Sequence, residues 1–88
     1  MNSRLYAETV FNQAAEKSNV PHRSTLGTAQ EAEAALKPTL VKLELEVRRA
    51  FLKANLNFDE AWDTLLVRHL QYKGWKVTGT GSGRKISG

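Results

Sequence analysis

One segment, from Pro38 to about Ala54, constrains the fold more than any other because it is apolar on two sides of a single predicted helix. Its main apolar stripe repeats at helical spacing and consists of Leu40, Leu43, Val47, Ala50, Phe51 and Ala54. Val41, Leu45 and Leu52 extend the apolar arc to a second side. A helix that is apolar over so much of its circumference usually contacts neighbours on two sides. We therefore expect this helix to be the centre of a small helical domain.

Helices are also predicted near both ends of the chain. The first runs from about Arg4 to Ser18, and the Ser3 hydroxyl is a suitable N-cap for it. The last begins with Asn57 as its N-cap, because an Asn side chain can accept from the free amides of a first helical turn. It ends before Gly74, a residue that takes the positive φ of a helix C-cap without steric cost.

A proline separates the central helix from the helix expected before it. Thr28 and Glu31 have the spacing of a capping box, so a helix is predicted to begin there and to continue through an alanine-rich stretch. Pro38 removes one backbone donor and clashes with the carbonyl four residues earlier, at a cost of about 3 kcal/mol inside a helix. We therefore expect a break or sharp kink near Lys37, with Pro38 opening the central helix.

The periodicity changes after Gly74. Trp75 and Val77 alternate with Lys76 and Thr78, which is the two-residue period of a β-strand. The glycine-rich residues 79–83 can turn the chain, and residues 85–87 can return it as a second strand. Two short strands are marginal in water, so a hairpin here requires its apolar side chains to pack against a helix. The alternative is a frayed glycine-rich tail.

These patterns predict one small, mostly α domain over residues 1–88. It comprises three or four helices. Residues 75–88 form a basic glycine-rich hairpin or tail, which gives the domain a winged-helix-like outline. The expected core consists of Leu43, Val47, Phe51, Trp62, Leu65 and Leu66, with Tyr6, Val10 and Phe11 packed from the first helix. The chain is short enough for a partner, including a second copy of itself, to add stability.

The residue inventory argues against catalysis. The chain has no cysteine, and His22 and His69 lack a second ligand at a spacing familiar from metal sites. Asp59, Glu60 and Asp63 are grouped, but acids are expected at a helix N-terminus because of the helix dipole. We therefore expect no enzyme activity, no cofactor and no metal. The absence of cysteine fits a reducing cytoplasm, and no apolar run approaches the roughly 20 residues of a membrane span.

The positive charge of the chain is concentrated at its C-terminal end. Residues 74–88 contain Lys76, Arg84 and Lys85 and no acid, so they supply three of the four net positive charges. A basic helix end followed by a glycine-rich turn resembles the wing of winged-helix domains in outline. The first hypothesis is therefore a regulatory or accessory protein that binds the phosphate backbone of nucleic acid. Its predicted contacts are Arg68, Lys73, Lys76, Thr78, Arg84 and Lys85.

A protein-binding function is the alternative hypothesis. If Val41, Leu45 and Leu52 are not covered by the first helix, they form an apolar patch that suits a partner helix. The chain would then act as an adaptor or as an inhibitor of a host factor, of the kind that mobile elements encode. A homodimer through the same residues is compatible with this pattern.

Residues 14–26 resemble a helix-turn-helix in outline, with a turn near Asn19 followed by polar residues. The register differs by about one residue, and Gly27 would interrupt the second helix. We therefore expect an ordinary loop between helices here.

Overall fold

The computed structural model describes residues 3–79 and 81–88, and of Ser3, Arg4 and Ser82 it describes only the backbone. Three α-helices span Ser3–Ser18 (α1), Ala29–Lys53 (α2) and Phe58–Tyr72 (α3). A two-stranded antiparallel hairpin follows, formed by Lys76–Thr78 (β1) and Lys85–Ser87 (β2). The predicted mostly helical fold with a short C-terminal hairpin is confirmed. The side chain of Ser3, predicted to cap the first helix, lies outside the described atoms.

The central helix α2 is continuous through Pro38, so the predicted break near Lys37 is wrong. The physical reason is that α2 is buried on both sides of the proline, at Ala32 and Leu36 before it and at Leu43 after it. Burial of one leucine alone contributes roughly 1.5–3 kcal/mol, which is comparable with the cost of an interior proline. Pro38 itself is exposed, so water can reach the backbone carbonyl that loses its donor.

The predicted N-caps at Thr28 and Asn57 are confirmed. The Thr28 hydroxyl accepts a hydrogen bond from the Glu31 amide at 3.2 Å and donates one to the Glu31 carboxylate at 3.0 Å. The reciprocal bond of this capping box therefore comes from the threonine hydroxyl rather than from the backbone amide. At α3, the Asn57 side-chain oxygen accepts from the Glu60 amide at 3.2 Å. These bonds fix where α2 and α3 begin.

Left-handed residues end α2 and α3 in the same way. Asn55 has a φ of 57° and Gly74 has a φ of 84°. After Asn55, the Leu56 amide donates back to the Phe51 carbonyl at 2.8 Å. After Gly74, the Trp75 amide donates back to the Leu70 carbonyl at 3.0 Å. Both ends are Schellman motifs, and the predicted cap at Gly74 is confirmed.

The core lies between the three helices and extends under the hairpin. Its buried apolar residues are Phe11, Ala14, Ala15, Val20, Ala32, Leu36, Leu43, Val47, Phe51, Leu65, Leu66, Leu70 and Trp75. Tyr6 was predicted in this core but is exposed, because the buried stripe of α1 is centred on Phe11, Ala14 and Ser18. Trp62 is half-buried and stacks on Phe58 with ring centroids 5.0 Å apart.

A loop connects α1 to α2 and joins the end of α3. Its middle is a single 3-10 turn at Arg23–Thr25, which confirms an ordinary loop rather than a second recognition helix. The Arg23 amide donates to the Lys73 carbonyl at 2.7 Å. The indole nitrogen of Trp75 donates to the Pro21 carbonyl at 3.1 Å. These two bonds hold the loop, the end of α3 and the start of the hairpin together.

Candidate functional site

The hairpin has one face toward the core and one toward solvent. Val77 pairs with Ile86 in the antiparallel register, and both are half-buried against the core. Their neighbours on the strands point the opposite way because side chains alternate along a strand. The exposed face therefore consists of Lys76, Thr78, Lys85 and Ser87. Gly79 turns the chain with a φ of 78°, and a Cβ there would lie 2.5 Å from the Gly83 carbonyl oxygen.

Arg84 does not share that exposed face. Its side chain is 14 % exposed and forms an ion pair with the Asp63 carboxylate on α3. The same carboxylate accepts a hydrogen bond from the Gly81 amide at 3.3 Å. Arg84 was predicted to contact phosphates, but its charge is already matched by Asp63 inside the protein. Asp63, predicted as a dipole-compensating acid, instead fixes the turn of the hairpin to α3.

Arg68 lies on α3, and Lys73 is the C-cap residue of that helix. Arg68 forms an ion pair with Glu8 of α1. Lys73 is half-buried. Both line a cleft of about 550 Å³ between α1 and α3. Of the six predicted phosphate contacts, Lys76, Thr78 and Lys85 share the exposed hairpin face.

His69 lies in the wall of the same cleft, between Phe11 and Lys73. Its ring meets the edge of the Phe11 ring with centroids 5.8 Å apart. Burial, assisted by the positive charge of Lys73, lowers the pKa of His69 below its ordinary value. Its Nε2 atom is buried without a hydrogen-bond partner. His69 is half-buried in the last turn of α3.

The predicted partner-binding residues are exposed on α2. Val41 is 65 %, Leu45 is 52 % and Leu52 is 82 % exposed. They lie on the side of the helix opposite its buried stripe. Together with other exposed residues they repeat at alternating spacings of four and three along the helix: Ala34, Pro38, Val41, Leu45, Arg48 and Leu52. We call these six residues the outer stripe.

The spacing of the outer stripe is that of a coiled-coil seam. The stripe extends from Ala34 to Leu52, which is 19 of the 25 residues of α2 and about 27 Å of helix. The sequence contained this pattern, but the break expected at Pro38 divided it into two unrelated parts. Only a continuous α2 places Ala34 and Pro38 in line with Leu45 and Leu52.

The charges that flank the outer stripe are mostly positive. The positions that flank the seam of a coiled coil are occupied here by Ala35, Lys37, Lys42, Glu44, Arg49 and Phe51, of which four are charged. Arg48, within the stripe, pairs with Glu44 at 3.4 Å, as its spacing predicts. The Arg48 guanidinium also lies 4.1 Å from the centroid of the Phe58 ring. The stripe is therefore an apolar seam with a basic border.

A pocket of about 430 Å³ adjoins the C-terminal end of the outer stripe, between α1 and α2. Leu52 belongs to both the stripe and the pocket. Three cationic side chains line the pocket, Lys17 from α1 and Arg49 and Lys53 from α2. Glu46 is the acidic residue in the lining. The pocket lining therefore combines apolar side chains with a net positive charge.

No protein-family model, curated protein or solved structure matches this chain. Among residues 3–79 and 81–88, none of the helices has the length and apolar character required to cross a membrane. In the same residues, no three His, Asp or Glu side chains are grouped so that they could hold a metal ion. The candidate functional surfaces of the described residues are therefore the outer stripe and the exposed hairpin face.

Proposed function

We propose that this chain is a non-enzymatic protein-binding module, an adaptor or inhibitor, that docks a partner's amphipathic helix along the outer stripe. The observation that carries the proposal is the exposure of Val41, Leu45 and Leu52 at coiled-coil spacing on one helix. Apolar side chains in such a row lose contact with water when a second helix packs on them, and this burial drives association.

The width of the outer stripe favours a helix as the occupant over a lipid surface. Membrane-surface helices present a broad apolar face, usually with large aromatic side chains. The outer stripe is a single seam, and its members include Ala34, Pro38 and Arg48. A narrow seam of this kind matches the interdigitating contact between two helices.

The charges favour a different protein over a second copy of this chain. Three of the four charged flanking side chains, Lys37, Lys42 and Arg49, are cationic, so two copies would largely place cation against cation. In a parallel pair, two Arg48 guanidinium groups would also meet within the seam. A partner helix with carboxylates beside its apolar seam complements this border. We therefore propose an acidic amphipathic helix as the occupant.

The size of the stripe predicts a moderate affinity. Burial of Val41, Leu45 and Leu52 contributes roughly 3–6 kcal/mol, since each is already partly covered. Apolar side chains of the partner add a similar amount. Association itself costs about 4–15 kcal/mol in lost freedom. At most about 8 kcal/mol therefore remains, so the dissociation constant is no tighter than about 1 μM.

The test is site-specific photo-crosslinking in cells that produce the protein. A photoreactive residue replaces Leu45 in the stripe or, as the control, the exposed Glu33 on the same helix but outside the stripe. We expect Leu45 to crosslink to one discrete protein, before and after nuclease treatment. The doubly substituted Val41→Asp/Leu52→Asp chain should lose that product. Equal crosslinking from both positions, or none from Leu45, contradicts the proposal.

A second candidate function is weak binding of a polyanion such as nucleic acid to the exposed hairpin face. The observation in its favour is the register, which places Lys76, Thr78 and Lys85 side by side on the solvent side. Two lysines neutralise about two phosphates, so the log–log salt slope for duplex DNA should be about −1.8. Such binding would carry no sequence preference.

Titration of fluorescent duplex DNA at low and moderate salt tests this second function. We expect Lys76→Glu/Lys85→Glu to abolish the binding. The matched pair Lys37→Glu/Lys42→Glu changes the same charge on α2 and should reduce it only slightly. The hairpin has no such role if the wild-type chain does not bind at low salt, or if both pairs weaken binding equally.

A further inference from the structure

We infer that the partner helix lies antiparallel to α2 and that carboxylates of its first turns bind in the pocket lined by Lys17, Arg49 and Lys53. This inference rests on the proposed docking function, because it names the direction of the occupant and the residues that anchor it.

The first support is the position of the pocket. It adjoins the outer stripe at Leu52, which lines the pocket and is the most exposed of the three large apolar side chains in the stripe. A helix that covers Leu52 therefore lies beside the pocket, where its flanking side chains can reach the lining residues of α1 and α2.

The second support is the charge within the pocket. Lys17, Arg49 and Lys53 line it, whereas Glu46 is its acidic residue, so the lining carries a net charge of +2. In the part of the chain that the structure describes, these three cations form no ion pair within 4 Å. Three cations that share one cleft repel one another, and a carboxylate from outside relieves that repulsion. The pocket therefore selects an acidic side chain.

The third support is the direction of the helix dipoles. The pocket lies at the C-terminal end of α2, where the helix dipole is negative. An antiparallel partner places the positive N-terminal end of its own dipole beside it. Acidic residues are most favourable in the first turns of a helix, so the same carboxylates stabilise the partner's own helix. In a parallel arrangement they would lie at the partner's C-terminal end, where its dipole disfavours them.

The opposite end of α2 agrees with this direction. Glu31 is exposed in the first turn of α2, one helical step before Ala34 opens the outer stripe. An antiparallel partner ends there, and cations are favourable in the last turn of a helix. In the antiparallel arrangement, Glu31 of α2 therefore lies beside cations of the partner's last turn, and Lys53 of α2 lies beside carboxylates of the partner's first turns.

The experiment uses the full chain and a synthetic helical peptide of three heptads. The peptide carries leucine at the seam positions, glutamate at the flanking positions of its first two turns and glutamine at the other flanking positions. A nitroxide label is attached at its N-terminus or at its C-terminus. We expect the N-terminal label to broaden the amide signals of Lys17, Leu52 and Lys53 in NMR spectra. The C-terminal label should broaden those of Ala34 and Lys37.

Charge reversal tests the anchoring residues. Arg49→Glu/Lys53→Glu should weaken binding of the peptide about tenfold, since two exposed ion pairs are each replaced by a repulsion. The matched control, Lys37→Glu/Lys42→Glu, reverses the same charge at the other end and should weaken binding less than about twofold. All four residues are exposed, so both variants should keep the wild-type circular dichroism spectrum.

The outcomes separate this inference from the function on which it rests. If the peptide does not bind the wild-type chain, or if Leu45→Asp leaves binding unchanged, the docking function fails and the inference fails with it. If Leu45→Asp abolishes binding but the two labels give the opposite broadening pattern, only the antiparallel direction is wrong. If the two charge-reversal pairs weaken binding equally, the pocket is not the anchor.

Discussion

Arg84, the residue immediately before β2, forms an ion pair with Asp63 in the second turn of α3, and this contact ties the hairpin to the helical body. The Asp63 carboxylate also accepts a hydrogen bond from the Gly81 amide, so one side chain binds both the Arg84 guanidinium and the backbone of the turn. A basic residue in a glycine-rich segment thus has a structural partner. The cations that remain on the exposed hairpin face are Lys76 and Lys85.

Asp63→Asn should destabilise the hairpin, because it leaves the largely buried Arg84 guanidinium without a negative charge. Loss of one partner of a partly buried pair costs about 1–3 kcal/mol. We expect the amides of Val77 and Ile86 to exchange faster with deuterium and the free energy of unfolding in urea to fall by that amount. Asp59→Asn, in the exposed first turn of α3, is the control and should cost less than about 1 kcal/mol. Equal effects of the two substitutions would argue against the anchoring role.

Trp75→Phe should weaken the junction between the α1–α2 loop and the end of α3. It removes the indole donor from the Pro21 carbonyl and leaves that acceptor without its protein partner. Such a loss costs about 1–3 kcal/mol of unfolding free energy, measured by urea denaturation. The control is Tyr72→Phe, which removes a polar group at a position that is 78 % exposed. The two variants should differ clearly, and identical stability would show that the Trp75 hydrogen bond contributes little.

Two leucines only two residues apart on α2 should respond in opposite ways. Leu43 is fully buried, so Leu43→Ala should lower the free energy of unfolding by about 2–5 kcal/mol. Leu45 belongs to the exposed outer stripe, so Leu45→Asp should lower it by less than about 1 kcal/mol, mainly through helix propensity. Urea denaturation of both variants measures the difference. A large loss from Leu45→Asp would mean that the stripe is covered within the chain.

Pro38→Ala should stabilise the protein. The substitution restores a backbone donor in the middle of a continuous helix and removes the clash between the proline ring and the carbonyl four residues earlier. The side chain that changes is exposed, so no core contact is lost. Relative to alanine, an interior proline costs about 3 kcal/mol, so the gain should approach that value. Thermal and urea denaturation measure whether the free energy of unfolding rises or falls. A loss of stability would contradict the cost assigned here to a proline inside α2.

The stability of the protein should fall as the pH decreases below about 6.5, because His69 has a lowered pKa in the folded state. In that window the unfolded chain takes up a proton that the folded chain resists, so protonation favours unfolding. Comparison of urea midpoints at about pH 7.5 and pH 5.5 measures the loss. His69→Gln should remove this part of the pH dependence, whereas His22→Gln, at an exposed position, should keep it. If His69→Gln leaves the pH dependence unchanged, the loss of stability at low pH does not come from His69.

Local patterns in the sequence were sufficient to predict the helix caps at Thr28, Asn57 and Gly74 and the alternation of the hairpin, but not the continuity of α2 through Pro38. The caps at Thr28 and Asn57 and the left-handed turn at Gly74 depend on hydrogen bonds within one or two turns of the chain. Trp75 inward and Lys76 outward follow from the two-residue period of a strand. Each of these features involves groups that are neighbours in sequence, so the residue types alone fix the geometry.

The sequence by itself determined the mostly helical class, the three places where helices end and the position of the hairpin. The tertiary structure decided that α2 continues through Pro38, that Arg84 pairs with Asp63, and that Val41, Leu45 and Leu52 remain exposed. These outcomes depend on which surfaces meet across elements that are distant in sequence. A proline's cost can be offset only by core burial on both sides of it, and an arginine's charge becomes structural only when an acid from another helix reaches it.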